Sequence, residues 1–200
     1  MVKDLDKLSE KALNNILDTK INIFNMVESY VDGEGIRLAI FEQGCLHNCE
    51  GCHNPDTHSF NINKEYTVRE IIEIIKTNPI LDGVTLSGGD PFFQAKANIN
   101  LIRAIRHYLP NLNIWAYTGF TWEQFNNFKS GNYSGSININ NDMIKMLKML
   151  DYIVDGRFVL KLRTLEKSYM GSTNQRVIDI KKSWNKEKPT VVEFDQTGRE

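Results

Sequence analysis

Cys45, Cys49 and Cys52 are the only cysteines of the chain, and they fall within eight consecutive residues as C-x3-C-x2-C. No cysteine remains elsewhere for a disulfide framework, so thiols this close together point to metal ligation or redox chemistry at one centre. Three thiolates can hold three corners of a four-iron four-sulfur cubane and leave one iron without a protein ligand, an open position for substrate chemistry. The loop also carries His47, and His53 follows it directly. With either histidine as a fourth ligand, the set suits tetrahedral zinc in a zinc-stabilised binding module. Spacing alone leaves both readings open.

A second group is Ser87-Gly88-Gly89-Asp90-Pro91. Two glycines let a backbone come very close to a ligand, and they equally make a tight strand-to-helix turn. Asp90 can add charge or fix the turn, and Pro91 restricts its conformation. The sequence holds no paired catalytic carboxylates and no Ser-His-Asp arrangement to set against metal chemistry. Asp32 and Arg37 read as organisers of the strand that enters the cysteine loop. Arg157 and Asn174-Gln175-Arg176 suit either a partner contact or a brace on the sheet edge.

The elements around these groups alternate. Leu5, Leu8, Ala12, Leu13, Ile16 and Leu17 lie at helical spacing within residues 1–20 and predict an amphipathic packing helix. Ile21 to Tyr30 reads as extended, and Arg37 to Phe41 as a buried strand running straight into the cysteines. Thr67 and Glu70 make a capping box ahead of Val68, Ile71, Ile72 and Ile75. Then follow a strand at Gly83 to Ser87, a helix from Ala95 to Leu109, and a strand at Ile114 to Thr118. A weak helix near Trp122 to Phe128 leads into a polar loop, which ends at a helix through Met143, Met146, Leu147 and Leu150. The last strand of the series is Tyr152 to Asp155.

Repeated strand-helix units predict an α/β fold with a mostly parallel sheet, whose ligands sit outside the carboxyl ends of the strands. Four or five units are too few for a closed eight-stranded barrel, so the expected form is an open partial (β/α) barrel. The cysteine loop and the double glycine both fall at the ligand-bearing edge. The expected division is a helical extension over 1–20, a catalytic domain over 21–182 and a tail over 183–200.

Lys and Arg number 24 against 25 Asp and Glu, a net charge of -1. That balance offers no general attraction to nucleic acid or to anionic membranes. No apolar run nears the roughly 20 residues that span a bilayer, and no hydrophobic leader is evident, so the expected location is the cytoplasm.

Gly44 to Thr57, with His53-Asn54-Pro55-Asp56-Thr57 after the cysteines, resembles the cluster loop of radical S-adenosylmethionine (SAM) enzymes, and more narrowly of glycyl-radical-enzyme activases. Asp32-Gly33-Glu34-Gly35-Ile36-Arg37 and the double-glycine segment are similar to two further activase motifs. Gly51, Asp90, Trp115 to Gly119, Asp155 to Phe158 and Gly171 to Arg176 resemble the small activators of anaerobic ribonucleoside-triphosphate reductase; His58 stands where many relatives have Trp. The likeness covers roughly residues 25 to 180.

The resemblance implies a radical SAM type fold. It also implies a 4Fe-4S cluster on Cys45, Cys49 and Cys52, with S-adenosyl-L-methionine chelating the open iron. It places Gly88, Gly89 and Asp90 near the methionyl group, and Gly51, Cys52 and His53 near the adenosine. The implied partners are the large subunit of anaerobic ribonucleoside-triphosphate reductase and an external one-electron donor. Pyruvate formate-lyase is the alternative target, and a small-molecule enzyme related to deazapurine biosynthesis is a more distant one.

Overall fold

The computed structural model describes residues 5, 8–61 and 64–194. Helix α1 (Glu10–Leu17) starts where the Ser9 hydroxyl accepts from the Ala12 amide. It packs on α2 (Val68–Lys76) and α3 (Ala95–Tyr108). Strands β1 (Lys20–Ser29), β2 (Arg37–Glu42), β3 (Lys64–Thr67), β4 (Gly83–Gly88), β5 (Asn113–Tyr117), β6 (Tyr152–Asp155), β7 (Arg176–Asp179) and β8 (Val191–Val192) form one sheet, in the order β3-β1-β2-β4-β5-β6-β7-β8. Helices α4 (Trp122–Lys129) and α5 (Asn141–Leu147) lie between β5 and β6, and the short α6 (Ile180–Ser183) follows β7. The two ends of the strand order do not pair with each other, so the sheet is open.

The sheet is mixed, and its parallel part is narrower than the sequence predicts. Only β2, β4, β5 and β6 run parallel. The connection 30–36 is too short for a crossover, so β1 meets β2 antiparallel, and β3 returns antiparallel on β1. On the other flank the connection 156–175 holds only a single 3-10 turn at Leu160–Leu162, and β7 comes back antiparallel to β6. The four parallel strands nevertheless deliver their carboxyl ends to one edge.

Alternation along the strands separates two faces. Ile40, Val84, Leu86, Ile114, Ala116 and Ile153 face the helices, where Ile71, Ile75, Leu101, Ile105, Met146 and Leu147 complete the main core. The other face carries Trp115, Val154 and Val177, with Tyr152, Tyr169 and Phe194 packed on them. Arg37 lies fully buried on that face, 5.3 Å from the Trp115 ring. Its guanidinium donates to the Thr85 hydroxyl, the Asn113 side chain and the Val84 carbonyl at 2.7, 2.6 and 2.9 Å. Burial lowers its pKa to about 10. Beyond Lys182 the chain contributes to this architecture: β8 extends the sheet, Trp184 packs on the main core, and Phe194 stacks on Trp115.

Candidate active site

The cysteine loop leaves the carboxyl end of β2. Its base is closed by backbone bonds from the Gly44 amide to Thr57 and from the Cys45 amide to His58, at 2.7 and 3.0 Å. Gln43 adds side-chain bonds to the Asp56 and Ser59 carbonyls, each 2.9 Å. Between the cysteines the chain turns through left-handed conformations at Asn48 (φ 47) and Gly51 (φ 71), and the Cys52 amide donates to the Cys49 carbonyl. Asparagine and glycine tolerate that region best, so the loop can fold its thiols toward one side.

All three thiols are free and half-buried. They line a cavity of about 720 Å³ together with His47, His53, Gly88 and Gly89. Burial pushes the Cys45 thiol up to about 11, with the Asp90 charge adding to it, and burial likewise raises Cys49. In the metal-free chain Cys45 therefore carries its proton at neutral pH, and metal ligation must displace it. Three soft thiols on one loop form a donor set for iron–sulfur chemistry. Among the described residues no three His, Cys, Asp or Glu side chains are grouped to hold a single ion. A cubane takes each thiolate on a different iron and needs no such convergence, so the residues present fit it.

His47 and Asp90 are held to each other, and the imidazole Nδ1 has no hydrogen-bond partner among the described residues. Imidazole Nε2 donates to Asp90 Oδ2 at 2.9 Å, inside the protein. The same carboxylate oxygen accepts from the Thr118 hydroxyl and the Gly119 amide, and Oδ1 accepts from the Phe92 amide. His47 lies on the cavity wall, while Asp90 and Gly51 do not; the Cβ that Gly51 lacks would meet Leu160. His53 stacks against Phe158 with ring centroids 4.9 Å apart.

The double glycine is held from behind. The Gly89 and Asp90 amides donate to the Glu42 and Gly44 carbonyls at 2.8 and 2.9 Å. A Cβ on Gly88 would collide with the Glu42 backbone, and one on Gly89 with the Gly44 backbone. Gly88 is thus required by the approach of the β4 end to the end of β2, and Gly89 by its approach to the cysteine loop, whatever they do for a ligand.

Several wall residues are not assigned to the site from the sequence, although Asp32, Thr118, Gly119, Arg157, Phe158 and Gly171 fall within its family motifs. Thr118 and Gly119 continue β5 into the cavity, and Tyr30, Val31 and Asp32 come from the β1–β2 connection. Arg157, Phe158 and the stretch 164–171 arrive from the β6–β7 connection. The rule that parallel strands bind ligands at their carboxyl ends points to Thr118 and Gly119; in the two connections Tyr30, Val31 and the residues before Gly171 carry no local signal. Arg176 braces the sheet edge, with bonds to Asp155 and Glu123.

The sequence model of the 4Fe-4S single cluster domain family matches residues 31–178. The chain is 32% identical over 152 residues to the anaerobic ribonucleoside-triphosphate reductase-activating protein of Enterobacteria phage T4, covering 74% of this chain and 86% of that protein. The chain belongs to this family of reductase-activating proteins. Members with the same name from Vibrio cholerae and Escherichia coli K12 are 30% and 29% identical, covering 72% and 74% of this chain and 88% and 90% of their own lengths. The 4Fe-4S family match contains all three cysteines and the double glycine, and it ends within β7. Among the described residues no helix is long and apolar enough to cross a membrane.

Proposed function

We propose that Cys45, Cys49 and Cys52 hold a 4Fe-4S cluster with one iron left open, and that S-adenosylmethionine binds in the cavity beside it. On this reading the chain is an oxidoreductase that installs a glycyl radical on the large subunit of anaerobic ribonucleoside-triphosphate reductase. The observation that carries the reading is the meeting of three free thiols with the double glycine in one cavity at the carboxyl edge of the parallel strands, in a chain of the activating-protein family. When bound, the cluster supplies one electron, received from an external donor, for cleavage of S-adenosylmethionine to methionine and a 5'-deoxyadenosyl radical that takes hydrogen from the partner's glycine.

The chain's own residues bind and orient. The amides of Gly89 and Asp90 are already donated within the protein and the Asp90 carbonyl accepts from the Phe93 amide, so the acceptors we assign to a ligand here are the carbonyls of Gly88 and Gly89, which line the cavity. An ammonium group such as the methionyl amine needs such acceptors. His53, packed against Phe158 with the two rings tilted by 48°, presents an aromatic face for adenine. Gly51 serves through its left-handed turn, which aims Cys49 and Cys52, and Asp90 holds the turn from behind. Tyr30, Val31 and Leu165 are exposed where they line the cavity, an apolar mouth that suits a protein substrate. Residues 21–182 are read as carrying the catalytic site, with α1 and β8 packed onto them, in an open partial barrel of radical SAM type working in the cytoplasm.

Anaerobic reconstitution tests this. The expected result is about four iron and four acid-labile sulfides per chain, and methionine formation when reduced protein meets S-adenosylmethionine. One zinc without sulfide would establish the binding-module reading instead. Activation of pyruvate formate-lyase and not of the reductase would redirect the same chemistry to the alternative partner.

A further inference from the structure

We propose that His47 and Asp90 form a clasp that shapes the cysteine loop before any cluster binds, and that Asp90 serves the site as a positioning residue rather than as a ligand contact. The proposal rests on reading residues 45–52 as a cluster loop. His47 stands midway between the first two cysteines, and its bond to Asp90 joins the interior of the loop to the rest of the sheet's carboxyl edge. The bonds that the loop's own amides donate close its base or bend it on itself.

The clasp is dry. The side chains of His47 and Asp90 are 3% and 1% exposed, so water does not compete for the bond. Asp90 gathers four donors from three segments. Its Oδ2 accepts from His47 Nε2, the Thr118 hydroxyl and the Gly119 amide, each at 2.9 Å, and Oδ1 accepts from the Phe92 amide at 3.0 Å. One carboxylate therefore ties together the turns that follow β2, β4 and β5. Its lone pairs are directed at protein donors, and it is absent from the cavity wall among the described residues.

The imidazole also has a fitted seat. Phe120 meets it edge-on at 4.7 Å and Phe93 lies at 5.7 Å. Gly119 makes room for the ring, since a Cβ there would collide with the imidazole. A loop held this way keeps its thiols near their working positions in the metal-free chain, as supporting hydrogen bonds do for ligands generally.

Hydrogen exchange on the full-length metal-free chain tests the clasp without any cluster. His47→Phe keeps a ring in the seat but has no donor; Asp90→Asn keeps the shape but turns a donor toward donors; His47→Gln restores an N–H. The Cys45 and Cys52 amides, the hydrogen-bonded ones of the loop, are expected to exchange about tenfold faster or more in the first two variants. The double variant should be no faster than the quicker single one, His47→Gln should recover part of the protection, and α3 should keep its own. Wild-type loop protection in His47→Phe would overturn the proposal. If His47→Phe loses core protection too, Thr118→Val decides: it removes one donor to the same oxygen, and faster loop exchange supports the clasp while unchanged exchange rejects it. A wild-type chain that takes up no iron and sulfide would sink the cluster reading, and the exchange data would still judge the clasp.

Discussion

Gly89 lies so close to Gly44 that a Cβ on the first would collide with the backbone of the second. Gly44 precedes the first cysteine, so the double-glycine turn and the cysteine loop are two sides of one contact. The Asp90 amide bonded to the Gly44 carbonyl reinforces it.

Gly89→Ala is therefore expected to act on the cluster loop and not on a ligand alone. Overpacking against backbone costs about 1–3 kcal/mol, and the strain falls beside Cys45. Iron and sulfide per chain should drop together with S-adenosylmethionine binding. A variant with full cluster content and selectively lost binding would show that the glycine serves the ligand directly.

The cysteines themselves should be separable from the fold. They are half-buried on a loop, and neither core cluster contains them. Cys45→Ala, Cys49→Ala or Cys52→Ala should each abolish cluster-dependent chemistry and shift the urea unfolding free energy by no more than about 1 kcal/mol. Collapse of the fold, as on metal removal from a zinc finger, would favour a structural metal.

Glu42 gives a pH dependence of stated sign. It ends β2 fully buried, Gln94 and Asn98 each donate to Oε2 at 3.0 Å, and Oε1 has no protein partner. Burial, with the Asp90 charge adding, raises its pKa well above the ordinary carboxyl value, against the bonds from Asn98 and Gln94. The folded chain thus holds a proton that the unfolded chain releases near pH about 4.3. Stability from this group is fully present below that pH and is lost as pH rises toward the folded pKa, by about 1.4 kcal/mol per unit. Glu42→Gln should remove that slope and stabilise the chain at pH 7. Equal slopes for both proteins in urea titrations between pH 5 and 7 would contradict the assignment.

Arg37 anchors the face of the sheet opposite the helices. Arg37→Met removes donors to Thr85, Val84, Glu34 and Asn113 and leaves the Thr85 and Val84 acceptors buried without them. A loss of about 3 kcal/mol or more is expected. Arg37→Lys should recover little of it, because an ammonium cannot reproduce the planar fork. Chemical denaturation of the two variants checks both statements.

How far the sequence could be read depended on how local each signal was. The Thr67–Glu70 capping box lies within four residues and marks the start of α2, where the structure has it. β2, β4 and β5 were legible because each is a short buried run ending at a turn signal. β3 was not, since Lys64 and Glu65 are exposed and its pairing with β1 is decided more than 40 residues away. β8 is two residues long and exists through β7. At the site, the cysteines and glycines announced themselves by type and spacing. The direction of Asp90 did not, because Thr118 and Gly119, which capture it, lie 28 and 29 residues further on.

The central claim is that this chain places a radical on a protein glycine. The direct measurement is electron paramagnetic resonance of the anaerobically reconstituted and reduced chain, mixed with S-adenosylmethionine and the large reductase subunit. A glycyl doublet is expected on the reductase, absent when S-adenosylmethionine is omitted or Cys49 is replaced by Ala. A fully loaded cluster that cleaves S-adenosylmethionine yet leaves no doublet on the reductase would contradict it.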